Sequence, residues 1–281
     1  MKFRYLMICF MVIIFFINCA TTVSHYELGM EYYAKGKLDD AIEEFQASIS
    51  LNPADPVVHK ALGDAFADKG LMLEAIAEWE VAVKLQPNYE TVKGKLEAAY
   101  VAMGKEEYDK GKTDDAIELW KRAIAINPNN VEAHKRLGLA YLANKMEDTA
   151  IPELEFVIEK NPSDEIVYTK LGMAYFKKGK FDLAAKTFEA LTRLKPTDAM
   201  AYNNLGSVYI KQGKFDDAIL VLKQAVKLAP DKTAILNNLG NAYFNKKDYK
   251  SAREQWAKVL EIDPLDKTAK ENLKVLQDMG E

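Results

Sequence analysis

Two cysteines occur in the 281 residues, Cys9 and Cys19, both near the start of the chain. A disulfide framework is therefore excluded from everything that follows them, and so is a thiolate metal site or a Cys/His dyad. Histidine is almost as scarce, at His25, His59 and His134. No stretch reads GxxxxGK[ST], GxGxxG after a strand, GxSxG or HExxH, which removes the common phosphate cradle, nucleophile elbow and zinc-hydrolase helix. The longest apolar run, Tyr5 to Ile17, counts 13 residues, short of the roughly 20 that span a bilayer as a helix. Base is not in excess either: 38 Lys and Arg stand against 42 Asp and Glu, a poor surface for nucleic acid.

What the chain does have is a period. Pro53, Pro87, Pro128, Pro162, Pro196, Pro230 and Pro264 are spaced by 34, 41, 34, 34, 34 and 34 residues, and a fixed period in this range signals a solenoid. With each Pro as repeat position 32, seven units fall at 22–55, 56–89, 97–130, 131–164, 165–198, 199–232 and 233–266. Position eight is Gly29, Gly63, Gly104, Gly138, Gly172, Gly206 and Gly240; position twenty is Ala in every unit. Gly inside a helix costs roughly 1 kcal/mol against Ala, so its recurrence implies close approach of two helices. Position 24 carries a large apolar residue, including all three Trp, and positions seven and eleven add an apolar seam of Leu, Met, Tyr and Phe. Gly36, Gly70, Gly111, Gly179 and Gly213 at position fifteen suit a helix end. Asp39, Asp114, Asp148, Asp182 and Asp216 at position eighteen suit the next helix start. At Lys145 and Lys247, where Lys replaces that Gly, less regular turns are expected. Each unit reads as helix, tight turn, helix.

Seven extra residues between Pro87 and Pro128 make about two helical turns. Val92, Leu96, Tyr100 and Met103 continue one stripe, so a long first helix from about Glu90 to Lys110 is expected; the alternative is a helix ending at Gly104 and then a loop. Residues 267–281, with Ala269, Leu273 and Leu276 on one side, read as a capping helix. Pro152 is expected within the first turn or so of its helix, where a missing N–H costs little.

This pattern resembles the tetratricopeptide-repeat (TPR) family over residues 22–266. The resemblance implies an all-α fold, a right-handed superhelical solenoid of antiparallel helix pairs whose first helices line a concave groove for proteins or extended peptides. Groove positions implied by the family fall on Lys170, Met173, Phe176 and Lys177, then Asn203, Asn204 and Lys211, then Asn237, Asn238, Asn241 and Asn245. The asparagines of YNNLG and LNNLG resemble a ladder that holds a peptide backbone, since a carboxamide both donates and accepts; the alternative is that they link adjacent repeats. Lys135, Lys170, Lys177 and Lys211 would make the groove locally basic. The family's carboxylate clamp lacks its first pair here, because Lys60 is followed by Asp64 and Lys135 by Leu139.

The start of the chain has its own organisation. Lys2 and Arg4 precede the apolar run in the layout of a secretory signal peptide, residues 1–18. Phe16-Ile17-Asn18-Cys19 resembles a bacterial lipobox, with Asn18 where a small residue is usual and Phe16 where Leu is usual. It implies lipidation of Cys19, a tether at 19–21 and a place in the bacterial cell envelope, at the periplasmic face of the outer membrane. An uncleaved anchor in the inner membrane and ordinary cleavage are the alternatives. Loss of Lys2 and Arg4 with the leader would take the formal net charge from −4 to −6. The expected function is a membrane-anchored scaffold that binds proteins or peptides, as in assembly of pilus, secretin or outer-membrane complexes. It needs no cofactor, metal, small-molecule substrate or catalysis, and the histidines, all at position four, are expected as seam residues. The alternative is a substrate-recruiting accessory subunit of a glycosyltransferase or peptidoglycan enzyme.

Overall fold

The structure, a computed structural model, describes residues 23–280. The expected leader, Cys19 and the tether lie outside the described residues. Fifteen helices and no strand occur among the described residues. In chain order they are α1 His25–Ala34, α2 Leu38–Leu51, α3 Pro56–Asp68, α4 Met72–Leu85, α5 Glu90–Asp109, α6 Thr113–Ile126, α7 Val131–Ala143, α8 Glu147–Lys160, α9 Glu165–Lys177, α10 Phe181–Leu194, α11 Ala199–Lys211, α12 Phe215–Leu228, α13 Thr233–Asn245, α14 Tyr249–Ile262 and α15 Lys267–Asp278. The fold is an all-α solenoid of helix pairs. The stretch at the enlarged proline spacing is one uninterrupted helix of 20 residues, α5.

Two compact units divide the chain. One holds the described residues up to Glu106 with Ala125–Pro128, and the other holds Glu107–Ile124 with the residues from Asn129 onward. In the first unit α1 packs on α2, α2 on α3 and α3 on α4, and α1 also meets α3. In the second, each helix from α7 to α14 packs on the next, and first helices also meet across repeats, α7 with α9 and α11 with α13. Each repeat therefore buries its seam partly within its hairpin and partly against the neighbouring hairpin.

The hairpin contact explains the small residues. A Cβ on Gly172 would lie 2.7 Å from the Phe188 ring, one on Gly63 2.5 Å from the Trp79 ring, and one on Gly206 2.5 Å from Leu222. In each case the obstacle is the position-24 side chain of the same hairpin. Ala41, Ala75, Ala116, Ala150, Ala184, Ala218 and Ala252 are wholly buried. In the second unit this builds a continuous core from α8 to α11, including Leu154, Leu171, Phe188 and Leu205.

The turns are more uniform than expected. Lys145 (φ 59°) and Lys247 (φ 67°) take the same left-handed conformation as Gly179 (φ 70°) and Gly213 (φ 73°). The hydrogen bonds match as well. Lys145 N–H donates to the Leu142 carbonyl at 3.1 Å and Met146 N–H to that of Tyr141 at 2.8 Å; Gly179 and Lys180 donate to Phe176 and Tyr175 at 3.0 and 2.9 Å. Packing of the two flanking helices imposes the geometry, against a left-handed cost of about 1–2 kcal/mol for a residue with a Cβ.

Helix starts also differ in detail from the sequence reading. The position-eighteen aspartates are the second residue of each second helix and not its N-cap. Most side-chain caps belong instead to position 34: Asp55, Asn130, Asp164, Asp198 and Asp266 each accept from a backbone N–H of the following helix, while Ser24 caps α1 and Asp248 caps α14. Lys232 holds position 34 before α13 and makes no such bond. Pro152 is the sixth residue of α8, beyond the first turn, so it removes one intrahelical hydrogen bond and is not free of cost.

Candidate functional site

Position twelve packs within the hairpin, as Phe244 does on Tyr249 and Trp256; the other implied groove positions, two, five, six, nine and thirteen, share one face of each first helix. Polar side chains on it are largely engaged with one another. Asn238 Nδ2 donates to Asn203 Oδ1 at 2.8 Å and to Ser207 Oγ at 3.2 Å, tying α13 to α11. Asn272 Nδ2 on α15 donates to Asn241 Oδ1 at 3.2 Å, and Asn245 Nδ2 donates to the Asn241 carbonyl at 2.7 Å. Asn203 and Asn237 are buried, and Asn237 Nδ2 reaches Asp266 at 3.3–3.4 Å. Five of the six candidate asparagines thus link or brace helices in this structure. Asn204, on α11, makes no side-chain hydrogen bond among the described residues.

The basic residues divide in the same way. Lys135 is paired with Asp164 at 2.6 Å and Lys177 with Glu147 at 3.1 Å. Lys170 and Lys211 have no carboxylate partner among the described residues. Hydrogen bonding by Lys177 helps hold the Glu147 carboxyl below its ordinary range, after the larger effect of its own backbone N–H. Phe176 is half-buried, with its ring edge against Phe181 at 5.6 Å; it belongs to the hairpin packing. Met173 is exposed.

Three of the candidate residues converge on one cavity. Lys170, Met173 and Lys177 line an open notch of about 390 Å³ with Leu139, Leu142, Ile166, Tyr108 and Glu147. Near the other end of the chain, Asp64 is buried and accepts from Trp79 Nε1 at 3.0 Å, Lys95 Nζ at 2.9 Å and Lys60 Nζ at 2.8 Å. Lys60 is thereby neutralised within its own repeat, in keeping with the missing first pair of the carboxylate clamp.

Two sets of partners were not read from the sequence. The histidines sit at the seam, each with Nδ1 beside a glutamate 19 residues on: His25 and Glu44 at 2.6 Å, His59 and Glu78 at 2.6 Å, His134 and Glu153 at 2.5 Å. The signal was present, because position 23 is Glu in the three units with His at position four and in no other. Two position-eleven tyrosines reach the preceding repeat, Tyr209 Oη donating to Glu189 at 2.9 Å and Tyr175 Oη to Glu155. Burial first, then the hydrogen bond to Glu189, pushes the Tyr209 hydroxyl up to about 12. Among the described residues no group of three or more metal-ligating side chains converges, and no helix is long and apolar enough to cross a membrane.

Comparisons with known proteins agree with this architecture. The chain matches the family model described as the Cilia and flagella-associated protein 70 C-terminal domain, a TPR model, over residues 90–278, and the TPR repeat model over residues 29–70. No curated protein matches it significantly. Among solved structures, a crystal structure of MamA protein is 27% identical, covering 61% of this chain and 93% of its own, with a TM-score of 0.58. A second MamA crystal structure is 28% identical over 57% and 94% of the two chains, at 0.55. For MamA from Desulfovibrio magneticus RS-1 the values are 23%, 61% and 97%, at 0.56, a likeness of fold. Proteins of this fold are typically scaffolds without catalysis. The protein belongs to the tetratricopeptide-repeat family and is a scaffold for binding proteins or peptides.

Proposed function

We propose that this scaffold works at a membrane of the bacterial cell envelope, held there by lipid on Cys19, and gathers envelope proteins or extended peptides on its first helices with no chemistry of its own. The observation that carries the binding half is the notch at Leu139, Ile166 and Met173. Apolar side chains and an unpaired ammonium are left there on a face where Asn203, Asn238, Asn241 and Asn272 are engaged with one another. The tether half rests on the leader pattern and the lipobox resemblance. Assembly of pilus, secretin or outer-membrane complexes is the class of work that such a tethered collector fits. Acyl chains on Cys19, at about 0.8 kcal/mol per buried methylene, would hold the array beside its partners.

The test has two readouts. Intact mass of the protein purified from its own membrane should begin at a lipidated Cys19; an unmodified Met1 would refute the tether. Crosslinking in intact cells followed by mass spectrometry should place partner peptides on first helices; crosslinks confined to second helices would refute the binding face.

A further inference from the structure

The geometry points to the step between α7 and α9 as the anchor of this face, a site for a peptide segment that presents an aliphatic side chain beside a carboxylate. This deepens the scaffold reading and rests on it. At three other steps the inner face follows a rule in which a polar side chain finds an acceptor 31 residues earlier, on the preceding first helix. Lys95 meets Asp64 at 2.9 Å, Asn238 meets Ser207 at 3.2 Å, and Asn272 meets Asn241 at 3.2 Å. At Arg136, where the residue 31 earlier is Lys105, the guanidinium pairs with Glu132 of its own helix at 2.6 Å. At Met30 and Ala61 both members are apolar, so no polar group is left over.

Two consecutive steps break the rule in another way. Lys170 corresponds by this count to Leu139, and Asn204 to Met173. The later residue is polar, the earlier one apolar, and neither Lys170 nor Asn204 has a side-chain partner among the described residues. Both Leu139 and Lys170 line the 390 Å³ notch, which is near the lower end of ligand-pocket size and suits one or two side chains of an extended segment.

Charge selects the ligand. In the notch Lys177 is held by Glu147, which leaves the Lys170 ammonium uncompensated. A carboxylate supplies the absent acceptor as a charge-assisted hydrogen bond, and an alkyl group beside it covers Leu139, Ile166 and Met173. A dianionic phosphate fits less well, since one ammonium offers no bidentate fork and Glu147 would repel the second charge. Asn204, one step along, is placed to bond a peptide group of the same segment.

The probe is a set of synthetic twelve-residue Ser/Gly peptides carrying one Leu and one Glu at spacings of one to four residues. Matched peptides have Gln for Glu or Ser for Leu, and fluorescence anisotropy reads binding to the full chain in detergent. Leu/Glu peptides should bind about tenfold more tightly than either control, the range of a charged hydrogen bond at a half-exposed site. Lys170→Gln should erase the preference for Glu over Gln and keep that for Leu over Ser. Met173→Ser should weaken the preference for Leu. Both variants should melt as wild type, because neither side chain is buried. Equal binding of Glu and Gln peptides, or a preference that survives Lys170→Gln, would overturn the proposal. So would failure of every peptide to bind, and in that event crosslinks from intact cells that still fall on first helices would leave the scaffold reading standing.

Discussion

At Gly172 the ring of Phe188 occupies the place a methyl group would take, and the same holds at Gly206 with Leu222. Replacement by Ala sets two effects against each other. Helix propensity favours Ala by up to about 1 kcal/mol, while a 2.7 Å contact with an aromatic ring packed in the core forces a shift costing about 1–3 kcal/mol. Overpacking wins, so Gly172→Ala should destabilise by about 1–2 kcal/mol in urea unfolding, and a melting temperature at or above wild type would refute the contact. A second residue-scale consequence concerns alkali. The Tyr209 hydroxyl is raised to about 12 in the folded state, by burial and then by its bond to Glu189, whereas in the unfolded chain it ionises near 10. Between those values the unfolded chain has lost a proton that the folded chain keeps, so stability is present in full below pH 10 and falls as pH rises toward 12. Tyrosinate absorbance of a Tyr209→Phe variant against wild type should show a late-titrating group lost with the substitution.

Within an element, the turn and the cap decide how well a repeat matches its neighbours. Lys247 adopts φ 67° where five other repeats have Gly, so Lys247→Gly removes a left-handed penalty of about 1–2 kcal/mol and adds back unfolded-state entropy of about 0.4–1 kcal/mol. A net gain of about 0.5–1 kcal/mol follows, measurable as a raised urea midpoint; a loss would mean the lysine side chain stabilises the turn. Lys232 precedes α13 with extended backbone and no cap bond, while Asp198 and Asp266 cap the equivalent helices. Lys232→Asp should stabilise by about 1 kcal/mol, and no change in the urea midpoint would show that α13 gains nothing from a cap. The period, the hairpins and the small contact residues were legible because each depends on local spacing alone. Asp39 and its equivalents stand in the first turn of each second helix, where the sequence reading expects a carboxylate, but they do not cap it. In the structure these aspartates reach forward 30 residues instead, Asp148 to Lys178 at 2.8 Å and Asp182 to Gln212 at 2.7 Å. Long polar side chains meet across repeats at offsets that no single repeat discloses, whereas the histidine–glutamate pairs lie within single repeats and are marked by the joint occurrence of His at position four and Glu at position 23.

At the scale of the whole molecule, first helices stack side by side within each unit, and in the second unit the face they make changes composition along the chain, which carries the functional reading. Asparagines anticipated as peptide ligands at Asn203, Asn238 and Asn241 are tied to each other and to Asn272. Lys170, Met173 and Lys177 converge on the notch, and Asn204 stands one repeat further on. Sequence position alone could not separate these groups, because a carboxamide linking two helices and one awaiting a ligand occupy the same repeat position. The most direct measurement places a photo-crosslinking residue at Met173, on the inner face, or at Leu220, exposed on the second helix α12, in intact cells. The account expects a discrete protein adduct from position 173 and none from position 220. Adducts from position 220 with none from position 173 would contradict it.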